Sequence, residues 1–210
     1  MILVDFSGTI AKHRDVVGKI FEELDYPFFK ERGFEGTEDE LKGAFREASR
    51  SLRLKENRQG DFSTEVAKIL GITVKREDAV RKGEMFDDMY VEHIQLVDGA
   101  ADGIAELSKL DEVVILTNAR CRRVIPAVEK FGIKDSVQQI ICLGGTGESK
   151  GWEIFKKMKS MGAWVIVGDS PRKDGAAEDH GISFIDVRVG WGTTVNLVKG
   201  LEEEKIRFKA

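Results

Sequence analysis

Cysteine is nearly missing from this sequence. Cys121 and Cys142 are the only two in 210 residues. They show no CxxC spacing and no nearby histidine, so neither a disulfide framework nor a zinc site is expected. A reducing, cytoplasmic setting is the matching expectation. No apolar run approaches the roughly 18 residues that a membrane span needs, and the chain opens into an apolar strand without a basic leader, so no membrane partner is expected. Charge of one sign is also lacking. Lys and Arg total 33 against 37 Asp and Glu, for a net charge of −4, which argues against a broad polyanion-binding surface and hence against nucleic acid. Proline occurs three times. With no internal repeat or low-complexity tract either, the informative signal is the alternation of apolar runs with helical stretches.

What is present is enough for a core. At 41% hydrophobic, the chain fits one large domain or one domain carrying an insert. Continuous apolar runs at Ile2–Val4, Val113–Leu116, Ile140–Leu143, Trp164–Val167 and Ile182–Val187 read as strands buried on both faces, the mark of a parallel sheet. Amphipathic segments at Ala100–Leu110, Cys121–Phe131 and Lys150–Met161 are long enough to be crossover helices. The expectation is an α/β fold, a doubly wound parallel-sheet (Rossmann-like) core formed by residues 1–11 and 96–210. Residues 12–95 break the rhythm. Their charge and helical periodicity (Val16, Val17, Ile20, Phe21, Leu24, then Leu41, Phe45, Ala48, Leu52) predict an inserted α-helical cap domain over the carboxyl ends of the strands, where open sheets bind ligands. Its aromatics Phe21, Tyr26, Phe28, Phe29, Phe34 and Phe45 are expected to form its core.

Three strands end on reactive residues. The first delivers Asp5, the second Thr117 and Asn118, and the fourth Asp169, with Asp174 five positions on. Taken singly, each is an ordinary turn former or helix cap. A parallel sheet, however, converges its carboxyl ends and so brings Asp5, Thr117, Asp169 and Asp174 together. Clustered carboxylates resist joint ionisation unless a cation compensates them, and oxygen ligands of this kind suit magnesium, Mg²⁺.

These residues resemble the haloacid dehalogenase (HAD) superfamily of phosphohydrolases. DFSGT at Asp5–Thr9 is similar to its first motif and VVILTN, ending at Thr117 and Asn118, to its second. Lys150 in ESKGWEIF matches its lysine, and GDSPRKD, with Asp169 and Asp174, its last motif. The insert resembles the cap of the branch that holds dehalogenases, phosphonatases and small-metabolite phosphatases. The resemblance implies that Asp5 is a nucleophile forming an aspartyl-phosphate. It also implies Mg²⁺ held by Asp5, the carbonyl of Ser7, Asp169 and Asp174, with Thr117 and Lys150 on the phosphoryl oxygens. Gly8 and Thr9 would turn the backbone beside the phosphate, and Asn118 and Arg120 stand where they could meet the substrate. The implied partner is a small phosphorylated metabolite, and the oligomeric state, monomer or dimer, is left open.

Ser7 departs from the pattern, because most phosphatases of this family carry a second Asp there as acid and base. Losing such a group costs on the order of 10² to 10⁴ in rate. Substrates with an easy leaving group (acyl phosphates, pyrophosphate, phosphoamidates), a proton supplied by His13 or Asp15, or a catalytically weak phosphate-binding or regulatory protein would each accommodate it. A phosphonatase-type C–P hydrolase would need a Schiff-base lysine such as Lys42 or Lys55. GGTGESKG fails the P-loop spacing. His93 and His180 read as ordinary histidines, Cys121 as no second nucleophile, and Trp191 in GWG as packing.

Overall fold

A computed structural model of the chain describes residues 1–54 and 62–207. Five strands form one all-parallel sheet: β1 (Ile2–Val4), β2 (Val113–Thr117), β3 (Gln139–Cys142), β4 (Val165–Gly168) and β5 (Ser183–Asp186), in the order β3-β2-β1-β4-β5. The helices are α1 (His13–Ile20), α2 (Tyr26–Lys30), α3 (Glu38–Leu54), α4 (Phe62–Ile69), α5 (Arg76–His93), α6 (Ala100–Ser108), α7 (Cys121–Lys130), α8 (Trp152–Ser160) and α9 (Trp191–Arg207). The expected α/β, Rossmann-like core is therefore present. The chain divides into two compact units, one of Met1–His13, Ile94–Gly144 and Glu148–Ala210, the other of Arg14–His93 and Gly145–Gly147.

In the first unit the central strands β1, β2 and β4 are buried throughout, as their unbroken apolar runs require. The outer strands differ from expectation. Residues of β3 are exposed or half-buried and only Ile185 of β5 is buried, because each has a neighbour on one side only. Leu3, Val114, Leu116 and Ile166 pack against Ile154, Phe155 and Met158 of α8, while α6 packs on α9 and β2. Each such side chain contributes about 1.5–3 kcal/mol on burial.

Register then aims the loops. Val4 pairs with Ile115 on one side and Val167 on the other, and the Asp5 N–H still donates to the Val167 carbonyl at 2.8 Å. Asp5 thus leaves the sheet one residue beyond that rung, beside the ends of β2 and β4. Thr117 pairs with Cys142 at the last rung of β2 and β3.

The second unit is helical. Its run from α1 to α2 is continuous through a π-helical turn at Phe21–Asp25. The six aromatics named above lie in one apolar cluster with Leu41, Ala48 and Val66, and Phe45 meets Phe21, Phe29 and Phe62 edge-on at 5.7, 5.8 and 5.3 Å. Buried Lys82 pairs with buried Asp25. Lys42 is spent on the surface, 3.2 Å from Glu38, and Lys55 lies outside the described residues. No helix among the described residues is long and apolar enough to cross a membrane.

Candidate active site

The loops that follow β1 and β4 bring Asp5, Asp169 and Asp174 together, with one carboxylate oxygen of each within 4.8 Å of the others. Lys150, two residues before α8, reaches into this group. Its side chain is 2% exposed, and its ammonium pairs with Asp5 Oδ1 and lies 2.7 Å from Asp174 Oδ1. Asp174 Oδ2 also accepts from the Ser170 N–H at 3.2 Å, so this carboxylate ties Lys150 to the loop after β4. Asp169 has no ion pair with a lysine or arginine among the described residues.

Two glycines make the approach possible. Gly8 adopts φ +88°, and a Cβ there would come within 2.6 Å of Asp169 Cγ. A Cβ at Gly168 would come equally close to Asp174 Cγ, at 2.6 Å. The glycine after the first strand is thus required by both backbone conformation and the neighbouring carboxylate. Its N–H is already donated to the Ala11 carbonyl at 2.8 Å, so Gly8 acts through close approach.

Electrostatics follow from burial. Desolvation raises Asp5 from 3.8 to about 6; Lys150 pulls it down, while Asp174 and Asp169 push it up. Asp169 is raised as well, first by burial and then by the charge of Asp174. His13 is lowered by burial and then by the cations Arg123 and Lys173, which holds its imidazole neutral near pH 7.

The remaining candidates fall around this centre. Thr117 is buried, and its hydroxyl oxygen accepts from the Ala119 N–H at 3.1 Å, leaving its hydrogen to be donated elsewhere. Asn118 Oδ1 accepts from the Lys150 N–H at 2.8 Å and so positions the lysine from below its own side chain. Ser7 carries a hydroxyl where a second carboxylate would stand and bridges to Ala11. Arg120 is the exposed N-cap residue of α7. Thr9 is fully buried, and its carbonyl accepts from Trp191 Nε1 at 3.2 Å.

Two features were not legible beforehand. Trp191 is more than packing: it anchors the loop after β1 from the start of α9, against Gly103, where a Cβ would come within 2.9 Å of its Cδ2. Gly103 is the only sequence hint of that contact. Contrary to the expectation of unpaired cysteines, Cys121 and Cys142 form a disulfide, with Cα atoms 5.3 Å apart. They are 21 residues apart in sequence, but the β2–β3 register sets the start of α7 beside the end of β3.

Residues 2–187 match the family model of the haloacid dehalogenase-like hydrolases. No curated protein matches the chain. Among solved structures, it is similar to YfnB of Bacillus subtilis bound to magnesium, at 20% identity and TM-score 0.64 over 87% of this chain and 86% of that one. A HAD phosphatase from Thermococcus onnurineus aligns at 17% identity and TM-score 0.63, over 88% and 84%. L-2-haloacid dehalogenase from Xanthobacter autotrophicus, with chloropropionic acid covalently bound, aligns at 16% and 0.60, over 88% and 76%. At these identities the likeness establishes a shared fold. Together with the family match over nearly the whole length, it places this chain among the haloacid dehalogenase-like hydrolases.

Proposed function

We propose that this protein is a Mg²⁺-dependent phosphohydrolase acting on a small phosphorylated metabolite through an aspartyl-phosphate on Asp5. The observation that carries the reading is the meeting of the Asp5, Asp169 and Asp174 carboxylates, of which Asp5 and Asp174 share the ammonium of Lys150. Three carboxylates against one lysine leave negative charge uncompensated, and an all-oxygen donor set with that deficit fits a hard divalent cation. Asp5, Asp169 and the Ser7 carbonyl would hold it. When bound, the ion offsets the repulsion between an anionic nucleophile and an anionic phosphate.

With Oδ1 of Asp5 engaged by Lys150, its Oδ2 is the oxygen left to attack phosphorus. The P–O bond to the leaving group breaks as the carboxylate–phosphorus bond forms, and water then attacks the same phosphorus and restores Asp5. Lys150 and the Thr117 hydroxyl hold phosphoryl oxygens through both steps. Such fixed charge and donors supply most of the catalysis in phosphoryl transfer.

Ser7 narrows the substrate. A hydroxyl does not protonate a leaving group as a carboxylic acid does, and His13 is held neutral by burial and its cationic neighbours, so it has no proton to give near pH 7. This supports substrates whose leaving group departs as a stable anion, such as acyl phosphates or pyrophosphate. The same serine also favours a second reading, a catalytically weak phosphate binder.

Phosphate release from acetyl phosphate, pyrophosphate and p-nitrophenyl phosphate separates the two. The hydrolase reading predicts Mg²⁺-dependent release, fastest from acetyl phosphate or pyrophosphate and lost in Asp5→Asn. Absence of metal-dependent release from all three would favour the binder instead.

A further inference from the structure

We propose that Cys121 and Cys142 form a reversible redox site, taking small-molecule thiols and disulfides as its reactants, that controls the order of the phosphoryl-binding loop Thr117–Arg120. The consequence for phosphate binding rests on the function proposed above; the redox chemistry does not.

Three observations converge on this loop. The disulfide joins the first residue of α7 to the last residue of β3, and that same Cys142 pairs in register with Thr117, so both ends of the loop meet at Cys142. Backbone bonds also tie the loop to the chain after β3, among them Leu143 N–H to the Thr117 carbonyl at 2.8 Å and Gly144 N–H to the Ala119 carbonyl at 3.1 Å. Gly144 lies so close that a Cβ would come within 2.5 Å of the Ala119 carbonyl carbon and 2.6 Å of the Arg120 nitrogen. A shift of β3's end therefore moves Thr117 and Asn118, and through Asn118 Oδ1 it moves Lys150.

The pair is also built to exchange. Both cysteines are half-buried rather than sealed, and β3 is an edge strand. Cys121 opens a ten-residue helix and is flanked in sequence by Arg120, Arg122 and Arg123. The partial positive charge of a helix N-terminus stabilises the electron pair that a departing sulfur takes, so Cys121 serves as the leaving group. Attack by an external thiolate then falls on Cys142 Sγ: a mixed disulfide forms as the Cys121–Cys142 bond breaks, and Cys121 takes the electron pair. A second external thiol resolves the mixed disulfide, releasing RSSR and a reduced Cys142. Two electrons and two protons pass from two RSH to the pair, and glutathione disulfide reverses the step.

The test uses the full chain equilibrated in glutathione buffers, with the dithiol fraction read by alkylation and mass spectrometry. The dithiol is expected to rise from about one tenth to nine tenths across roughly a hundredfold change in [GSH]²/[GSSG] while the protein stays folded. Reduction should speed hydrogen exchange across residues 117–120 and 142–144 and lower the melting temperature by about 6–12 °C. It should also weaken inorganic phosphate binding, with Mg²⁺ present, by about tenfold. Cys121→Ser and Cys142→Ser should match the reduced form and ignore the buffer. A pair that reduces only when the chain is unfolded, or one whose reduction leaves exchange at 117–120 unchanged, overturns the proposal. Phosphate failing to bind in either state would count against both functional readings and leave the redox proposal standing, since exchange still decides it.

Discussion

Replacing Lys150 with methionine keeps the volume of the side chain and removes the ammonium shared by Asp5 and Asp174, whose side chains are 10% and 1% exposed. Breaking a buried pair by deleting one partner costs about 3–5 kcal/mol. Protonation limits the loss. Neutralising one aspartate whose ordinary value is 3.8 costs about 5 kcal/mol at pH 7.5 but only about 1.6 kcal/mol at pH 5, at about 1.36 kcal/mol per unit. The metal-free variant should therefore melt about 6–20 °C below the parent at pH 7.5, by about half that or less at pH 5, and recover part of the difference with Mg²⁺. Thermal unfolding followed by circular dichroism at both pH values, with and without the metal, reads all three. A metal-free Lys150→Met protein as stable as its parent at pH 7.5 would refute the claim that this lysine compensates a buried carboxylate cluster.

Asp5 should titrate near pH 6 in metal-free protein, which a carboxyl ¹³C shift titration reads directly; a midpoint near 3.8 would contradict its desolvation. Because its folded value is raised, the native state holds the proton more tightly than the unfolded chain. The site's contribution to metal-free stability is then greatest below about pH 4 and is lost as pH rises through 6, and added Mg²⁺ should move the midpoint down. Gly8→Ala places a Cβ against Asp169 at a φ that L-residues avoid; it should cost about 1–3 kcal/mol and weaken Mg²⁺ binding at least tenfold by calorimetry. Trp191→Phe keeps an aromatic side chain but removes the donor to the buried Thr9 carbonyl and part of the indole's packing. A loss of about 1–3 kcal/mol in denaturant unfolding is expected, with kcat falling more than KM changes.

The core was legible because its signal is local. Unbroken apolar runs are what strands buried on both faces require, and β1, β2 and β4 lie where Ile2–Val4, Val113–Leu116 and Trp164–Val167 pointed. β3 begins one residue earlier than its run implied and is half exposed, since an apolar run does not reveal whether a second neighbour exists. The carboxylate cluster was readable from strand ends because parallel topology converges them. Lys150 was not readable that way: 145 residues separate it from Asp5, and only resemblance singled it out. Trp191 and Thr9, separated by 182 residues, meet through a backbone carbonyl, which leaves no mark on residue type. Cys121 and Cys142 escaped for the same reason. Their spacing matches no local motif, and register alone joins them.

The most direct measurement is an acid quench of the enzyme during turnover of acetyl phosphate with Mg²⁺, followed by peptide mass mapping. The account predicts one phosphoryl group on the peptide bearing Asp5, sensitive to hydroxylamine and missing from Asp5→Asn. Turnover with every peptide unmodified, or a phosphoryl group carried at another residue, would contradict it.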